Sequence, residues 1–251
     1  GATPLVADLD LPHTLLRLAG IADYVLHCAP PPAVGIDDPR TRRLLAALTR
    51  RGSLPRRISY ISTTGVYGDC GGAWLDETRP LRPDSDRAGR RVAAEAHLRR
   101  FGMRTGCRVS ILRAPGIYDT EARLPRARLL KGDPVLVAED DVFTNHIHAD
   151  DLARLSALAL FRGRPNRAYN ATDDSTMRMG DYFDLVADAC GLPRPPRLPR
   201  AELAGRLSAM TLSFMSESRR LMNGRIKREL RVGLRHPTVA DALAAMLPTV
   251  S

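Results

Sequence analysis

Apolar residues along the first half of the chain occur in short runs separated by more polar segments. The runs, which are typical of buried strands, lie at residues 4–8, 22–28, 57–62 and 107–112. The segments between them predict helices that begin at Asp10, at Asp38 followed by Pro39, and near Asp86. This alternation of strand and helix predicts an α/β domain in which helices cover both faces of a parallel sheet.

The second half of the chain is less regular. Short strands are predicted at residues 135–138, 142–147 and 168–171, and helices at residues 151–161, at 179–190 and at 201 to about 221. We therefore divide the chain into a first domain, residues 1–118, and a mixed region, residues 119–251. The mixed region is expected to complete the sheet and to form a small α/β lobe.

Charge and composition narrow the classes of function. The chain of 251 residues has a formal net charge of +10, and all but two of its 38 basic residues are arginine. The arginines are spread along the whole sequence, aromatic residues make up only 5%, and no nucleic-acid-binding motif is present. Solvated helix faces therefore explain the charge better than nucleic-acid binding, which stays as a minor alternative.

Apolar runs and cysteines bear on the cellular location. No apolar run approaches the roughly 18 residues that a membrane span needs. The cysteines occur singly along the chain, at Cys28, Cys70, Cys107 and Cys190. Single cysteines favour reduced thiols over a disulfide framework. We therefore expect a cytoplasmic protein that does not insert into membranes.

Candidate ligand-binding segments follow each predicted strand directly. In doubly wound sheets, ligands bind at the carboxyl ends of the strands. The segments are residues 8–9, residues 27–30, Ser-Thr-Thr-Gly-Val-Tyr-Gly at residues 62–68 and Arg-Ala-Pro-Gly-Ile-Tyr at residues 113–118. Together with residues 76–80 and 145–151, this ordered series resembles the NAD-dependent epimerase/dehydratase group of the extended short-chain dehydrogenase/reductase superfamily. The resemblance covers nearly the whole chain.

The resemblance implies a Rossmann-like, doubly wound parallel sheet that binds NAD or NADP, and a small C-terminal lobe for a small-molecule substrate. It implies that residues 1–118 bind the dinucleotide, and it is compatible with a homodimer formed through residues 41–50 and 87–100. The cofactor-binding residues that it implies are Asp8 and Leu9 at the adenine, Ala29 and Pro30 at the ribose and pyrophosphate, Ser62, Arg91, and Pro115, Gly116 and Ile117 beside the nicotinamide.

One departure from the family concerns the cofactor phosphates. The family opens with a strand, a Gly-x-x-Gly-x-x-Gly loop and a helix that together hold the pyrophosphate, and this sequence contains no such glycine set. Its first predicted strand, residues 4–8, resembles the third strand of the family, so we expect the dinucleotide-binding domain to be incomplete at its N-terminus. We expect the sequence to be part of a longer chain. Two alternatives remain open. The chain is naturally truncated and completes its sheet in another way, or another chain supplies the missing segment.

A second departure concerns the chemistry. Where the superfamily has Tyr-x-x-x-Lys, this sequence has Arg87 and Arg91. An arginine stays protonated at physiological pH, so Arg87 has no proton to exchange in place of the tyrosine. The chain therefore resembles an atypical branch of the superfamily. The resemblance leaves Thr63, Tyr67 and Arg91 as candidate catalytic residues, with a structural role in the loop as the alternative for Tyr67.

His146 and His148 are two positions apart, which places them on one face of a strand and is compatible with a metal site. The aspartates that follow, Asp150 and Asp151, are better explained as the first turn of a helix, so we predict no metal.

From the resemblance we expect an oxidoreductase or epimerase/dehydratase that acts on a sugar-like or nucleotide-linked substrate. A non-catalytic dinucleotide-binding sensor or scaffold is the alternative.

Overall fold

The computed structural model describes residues 1–246, and of Arg51 only the backbone. Among these residues the strands are β1 (Tyr24–His27), β2 (Arg57–Thr63), β3 (Trp74–Leu75), β4 (Arg108–Ala114), β5 (Gly116–Tyr118), β6 (Val135–Leu136), β7 (Phe143–Thr144), β8 (His146–His148), β9 (Arg167–Asn170), β10 (Met177–Arg178), β11 (Arg197–Leu198) and β12 (Arg220–Leu221). The α-helices are α1 (Pro39–Leu48), α2 (Asp86–Thr105), α3 (Arg126–Leu130), α4 (Ala149–Arg162), α5 (Met179–Cys190), α6 (Ala209–Phe214), α7 (Gly224–Leu230) and α8 (Val239–Ala244). Short 3₁₀ helices lie at Pro12–Leu18, Arg50–Gly52, Thr64–Tyr67 and Arg200–Glu202.

The central sheet contains β1, β2, β4 and β9 in that order, and each neighbouring pair is parallel. In this register Tyr60 of β2 lies between His27 of β1 and Ile111 of β4. Parallel strands need a crossover connection, and helices supply it here. The predicted parallel α/β sheet is confirmed.

Helices pack on both faces of this sheet. On one face Leu45 of α1 and Leu98 of α2 pack with Val109 of β4. On the other face Leu155 of α4 packs with Tyr169 of β9. Burial of one large apolar side chain contributes about 1.5–3 kcal/mol, so these two layers fix the sheet that carries the strand ends. None of the helices within residues 1–246 is long and apolar enough to span a bilayer.

Side-chain caps explain where two of the crossover helices, α1 and α2, begin. The Asp38 carboxylate accepts a hydrogen bond from the backbone N–H of Thr41, ahead of α1. The Ser85 hydroxyl accepts one from the backbone N–H of Ala88 and starts α2. Such caps satisfy amides that have no partner inside the helix. The predicted starts of both helices are confirmed.

Residues 4–8 do not form the predicted strand. They are exposed and irregular, and a 3₁₀ helix at Pro12–Leu18 follows in place of the α-helix predicted from Asp10. Among the described strands β1 pairs only with β2, so the sheet ends at β1. An extended segment without a neighbouring strand has no partners for its backbone N–H and C=O groups, which explains why the prediction is wrong.

The C-terminal half forms a second core in which α5 and α8 pack around Val135 and Leu136. The helix predicted from residue 201 to about residue 221 is wrong, because this segment consists of the 3₁₀ helix Arg200–Glu202, α6 and β12. Gly205 has a φ of +81°, a left-handed conformation that interrupts a right-handed helix. β12 pairs in parallel with β3, which brings the chain back against its N-terminal half. The division of the chain at residue 118 stays a prediction.

Candidate functional site

A cavity of about 880 Å³ lies at the carboxyl ends of β2 and β4. The ends of these strands contribute Thr63, Pro115 and Gly116, and the first turns of α2 contribute Arg87 and Arg91. Residues 30–33 and residues of the C-terminal half are also part of the lining. The volume lies in the range of small-molecule binding sites, and its position is the one at which parallel α/β sheets bind ligands.

Thr63 offers a hydrogen-bond donor to this cavity. It is the last residue of β2, and its Oγ1 accepts a hydrogen bond of 3.3 Å from the backbone N–H of Gly65. Because Oγ1 is the acceptor in this contact, the hydroxyl proton remains for donation to an oxygen of a ligand.

Arg91 is held in position by two neutral acceptors. Its Nη1 donates to the hydroxyl of Tyr60 at 2.8 Å and to the carbonyl oxygen of Ile61 at 2.9 Å. Burial raises the pKa of Tyr60 to about 12, although the charge of Arg91 opposes this shift. Tyr60 is therefore a neutral partner that orients Arg91, and the Nε and Nη2 donors of Arg91 remain for a ligand.

His146 and Tyr182 line the cavity from the C-terminal half, with their rings stacked at a centroid distance of 4.0 Å. His146 is 5% exposed, and burial lowers its pKa to about 3. Its Nε2 has no hydrogen-bond partner among the described residues. Burial also raises the pKa of the Tyr182 phenol. Both groups are therefore neutral near pH 7.

Two residues predicted for the site, Tyr67 and Ser62, lie in a buried polar network instead of lining the cavity. The Tyr67 hydroxyl donates to Asn170 Oδ1 at 2.7 Å and accepts from Arg113 Nη1 at 2.9 Å. The Ser62 hydroxyl donates to Glu95 Oε1 at 2.7 Å. Burial raises the pKa of Tyr67 to about 12. The Tyr67 hydroxyl therefore links the loop after β2 to β4 and β9, and the Ser62 hydroxyl links β2 to α2.

The backbone after Tyr67 supports a structural role for this loop. Gly68 has a φ of +69°, and a Cβ atom there would lie 2.0 Å from the carbonyl oxygen of Arg82. Only glycine satisfies both constraints without a shift of the chain. The loop therefore holds a fixed shape, and the buried ring of Tyr67 is part of its packing.

Four further residues predicted to bind the cofactor also lie outside the cavity lining. Asp8 accepts a hydrogen bond from the N–H of Asp10, and the carbonyl of Leu9 accepts one from Arg43. Ala29 is the residue before Pro30, which does line the cavity. Ile117 of β5 pairs with Ile147 of β8. Of the predicted set, the structure brings together Pro30, Thr63, Arg91, Pro115 and Gly116.

The resemblance implies a C-terminal lobe for the substrate, but it does not identify the aromatic residues with which the C-terminal half lines the cavity. Tyr182, Phe183 and Phe214 line it without a local motif that marks them, and the sequence indicates His146 only as a possible metal ligand. These residues reach the cavity through tertiary packing, so their neighbours in sequence carry no signal. The stacking of an imidazole on a phenol is a property of the fold.

The ligand atoms of His148, Asp150 and His236 lie within 4.8 Å of one another. However, Nδ1 of His148 already accepts the backbone N–H of Asp150 at 3.2 Å, and the rings of His148 and His236 stack at 3.7 Å. Nitrogen lone pairs lie in the ring plane, so stacked rings do not direct them to a common point. We assign no metal to this group.

The cavity residues fit one end of a dinucleotide. Pro115 and Gly116, which the resemblance puts beside the nicotinamide, line the cavity together with Thr63 and Arg91. The described residues therefore fit the nicotinamide end and contain no glycine loop for the pyrophosphate.

A family model described as the NAD dependent epimerase/dehydratase family matches residues 22–172. The chain belongs to this family. The match begins close to β1 and ends just after β9, so it spans the whole central sheet. The resemblance to the family and the predicted Rossmann-like fold are both confirmed. The family is NAD dependent, in agreement with the expected cofactor, NAD or NADP.

Solved structures of similar fold include a functionally unknown conserved protein from Silicibacter pomeroyi, which is 31% identical over 98% of this chain and 79% of that chain, with a TM-score of 0.78. RMD from Pseudomonas aeruginosa, complexed with NADPH, is 20% identical over 98% and 88%, with a TM-score of 0.73. The UDP-glucose 4-epimerase from Thermotoga maritima, with UDP-glucose, is 18% identical over 94% and 80%, with a TM-score of 0.74. No curated protein matches.

Proposed function

We propose that the cavity at the ends of β2 and β4 binds the nicotinamide end of NAD or NADP together with a sugar-like or nucleotide-linked small molecule, and that the protein is an oxidoreductase or an epimerase/dehydratase. The observation that carries the proposal is the convergence of Thr63, Arg91, Pro115 and Gly116 on one cavity. The bound NADPH of the Pseudomonas protein and the UDP-glucose of the Thermotoga epimerase support the ligand classes.

A bound nicotinamide supplies hydride transfer. The residues of this chain position the reactants for it. The free hydroxyl proton of Thr63 is suited to hold an alcohol or carbonyl oxygen of the substrate, and the remaining donors of Arg91 are suited to hold a ribose hydroxyl or an anionic oxygen. The apolar side chains that the C-terminal half contributes, such as Phe183 and Phe214, reduce the access of water.

Cofactor binding is expected to give a saturable thermal shift with at least one of NAD, NADH, NADP and NADPH. A ligand that binds only the folded state stabilises it by about 2.7 kcal/mol at 100 times its Kd. Reduced nicotinamide mononucleotide is expected to keep most of this shift, and ADP-ribose to lose most of it, because the described residues fit the nicotinamide end. No shift with any of the four dinucleotides would contradict cofactor binding by this chain.

The variant Thr63→Val is expected to lower kcat about 100-fold, because loss of one donor to a reacting oxygen typically costs that much. Valine has a similar shape, so the thermal shift with the cofactor should be unchanged. Thr49→Val is the matched control, since Thr49 is exposed and its hydroxyl bonds Ala46 at the end of α1. Equal kcat in the two variants would remove Thr63 from the proposed site.

A non-catalytic sensor or scaffold is the second candidate, and one observation favours it. Arg87 replaces the family tyrosine, and burial raises the pKa of Tyr67, of Tyr118 and of Tyr182. None of these phenols is poised to exchange a proton near pH 7. Cofactor binding without turnover of a broad panel of alcohols and carbonyl compounds would favour this candidate.

A further inference from the structure

Three arginines of α2, Arg87, Arg90 and Arg91, line the cavity on consecutive turns. Positions three and four apart share one helix face. Within residues 1–246 none of these three guanidinium groups forms an ion pair with a carboxylate, whereas other arginines of the lining do. The uncompensated positive charge is therefore concentrated at this side of the cavity.

The partners of these three arginines are all neutral. Arg90 is 7% exposed and donates from Nη1 to the carbonyl oxygen of Gly35 at 2.8 Å. Arg91 is held by Tyr60 and Ile61, as described above. The guanidinium of Arg87 lies over the ring of Phe214, 4.5 Å from its centroid. Carbonyls, a phenol and an aromatic face orient these charges but do not neutralise them.

The other charges of the cavity are already paired. Arg219 Nη1 lies 2.7 Å from the carboxylate of Glu217, and both side chains are largely buried. Arg128 lies 3.5 Å from Asp133. Burying a charge without a counter-ion is unfavourable, so the buried Arg90 and the partly buried Arg91 are best explained by a ligand that brings negative charge. Arg87 is exposed but lies on the same helix face and adds its charge to theirs.

A second feature of the cavity also points to a ligand. The Nε2 atom of His146 is buried and has no hydrogen-bond partner among the described residues, and His146 lines the same cavity. Buried polar atoms are nearly always satisfied in folded proteins. Ser85, the cap at the N-terminus of α2, lines the cavity as well, and the dipole of this long helix favours negative charge at that end.

We propose that the substrate carries an anionic oxygen group, a carboxylate or a phosphate, close to its reacting carbon, and that Arg87 and Arg91 bind this group. The arginines stand where the family has its catalytic tyrosine and lysine, so the anion lies next to Thr63 and Gly116. The planar forks of two guanidinium groups suit carboxylate and phosphate oxygens. This inference rests on the proposed function for the location of the reacting carbon.

The charge preference is measured by calorimetric titration with three probes: glucose, glucuronate and glucose 1-phosphate, each with and without saturating NADH. At least one anionic probe is expected to bind about 10-fold or more tightly than glucose. The comparison of glucuronate with glucose 1-phosphate tells which anion the arginines select. The preference is expected to decrease at high salt, since salt screens charge interactions, while glucose binding stays constant.

The variants Arg87→Gln and Arg91→Gln are each expected to weaken binding of the anionic probe about 10-fold and to leave glucose binding unchanged. Arg104→Gln is the matched control, because Arg104 is exposed in the last turn of the same helix. Unchanged melting temperatures and circular dichroism spectra of the variants show that they fold. The phosphate groups of the cofactor are a second class of anion that Arg87 and Arg91 are able to bind. NADH and NADPH are therefore titrated into each variant as well.

Equal affinity for glucose and both anionic probes would overturn the inference, and so would an effect of Arg87→Gln no larger than that of Arg104→Gln. Loss of NADH or NADPH binding with unchanged anion preference would assign the arginines to the cofactor and would also overturn it. If no dinucleotide binds the wild-type chain but the anion preference is present, the proposed function fails while the anion site stands. The two proposals therefore fail in distinguishable ways.

Discussion

Replacing Arg113 by methionine is expected to destabilise the fold by about 3–5 kcal/mol, the usual cost of removing one partner of a buried ion pair. The side chains of Arg113 and Glu95 are 3% and 2% exposed, and Arg113 donates from Nε and Nη2 to both carboxylate oxygens, at 3.1 and 2.8 Å. In the variant the Glu95 carboxylate would keep only the hydroxyl of Ser62 as a side-chain donor. Urea unfolding followed by circular dichroism measures the loss.

The double variant Glu95→Met with Arg113→Met tests the reason for this loss. When both charges are removed no unpaired charge remains, so the double variant is expected to be more stable than Arg113→Met alone. Asp188→Asn, which breaks the exposed pair of Asp188 and Arg194, is the control and is expected to have no measurable effect. A double variant less stable than the single one would show that the Glu95 carboxylate contributes to stability independently of Arg113.

Asp173→Asn is expected to stabilise the protein above pH 7 by about 4 kcal/mol, and progressively less as the pH falls towards 4. Asp173 is 2% exposed, and burial raises its pKa from 3.8 to about 7. Its Oδ1 accepts the N–H of Ser175, while Oδ2 has no partner among the described residues. A difference of about three pKa units corresponds to about 4 kcal/mol.

The sign of this effect follows from proton binding. Between about pH 4 and pH 7 the folded state keeps the proton of Asp173 and the unfolded state has lost it, so the contribution of this residue to stability falls as pH rises. Asparagine does not titrate, so the difference in unfolding free energy between variant and wild type should grow across this window. Burial lowers the pKa values of His27 and His146, and this makes the stability rise with pH. Both histidines are present in the variant and in the wild type, so their effect cancels in the difference. A difference independent of pH would contradict the proposed burial of a titrating carboxyl group.

The site shows where prediction from sequence stops. Ser62 and Thr63 are neighbours in one motif, and the resemblance assigns both to the site. Successive residues of a strand point to opposite sides; the Ser62 hydroxyl bonds Glu95, whereas Thr63 lines the cavity. The motif places both residues at the correct end of β2. Which of the two side chains faces a ligand depends on what packs against each face of the strand.

The sequence by itself determined the features that depend on near neighbours: the alternation of strands and helices, the cap of α1, the start of α2, the ordered segments at the strand ends and, through them, the family. Local hydrogen bonds and apolar periodicity are encoded within a few residues, so they are readable directly. The tertiary structure alone decided that residues 4–8 have no strand partner, that Tyr67 is held by Arg113 and Asn170, and that His146 and Tyr182 line the cavity. Each of these depends on contacts between residues distant in sequence, which only the folded chain brings together.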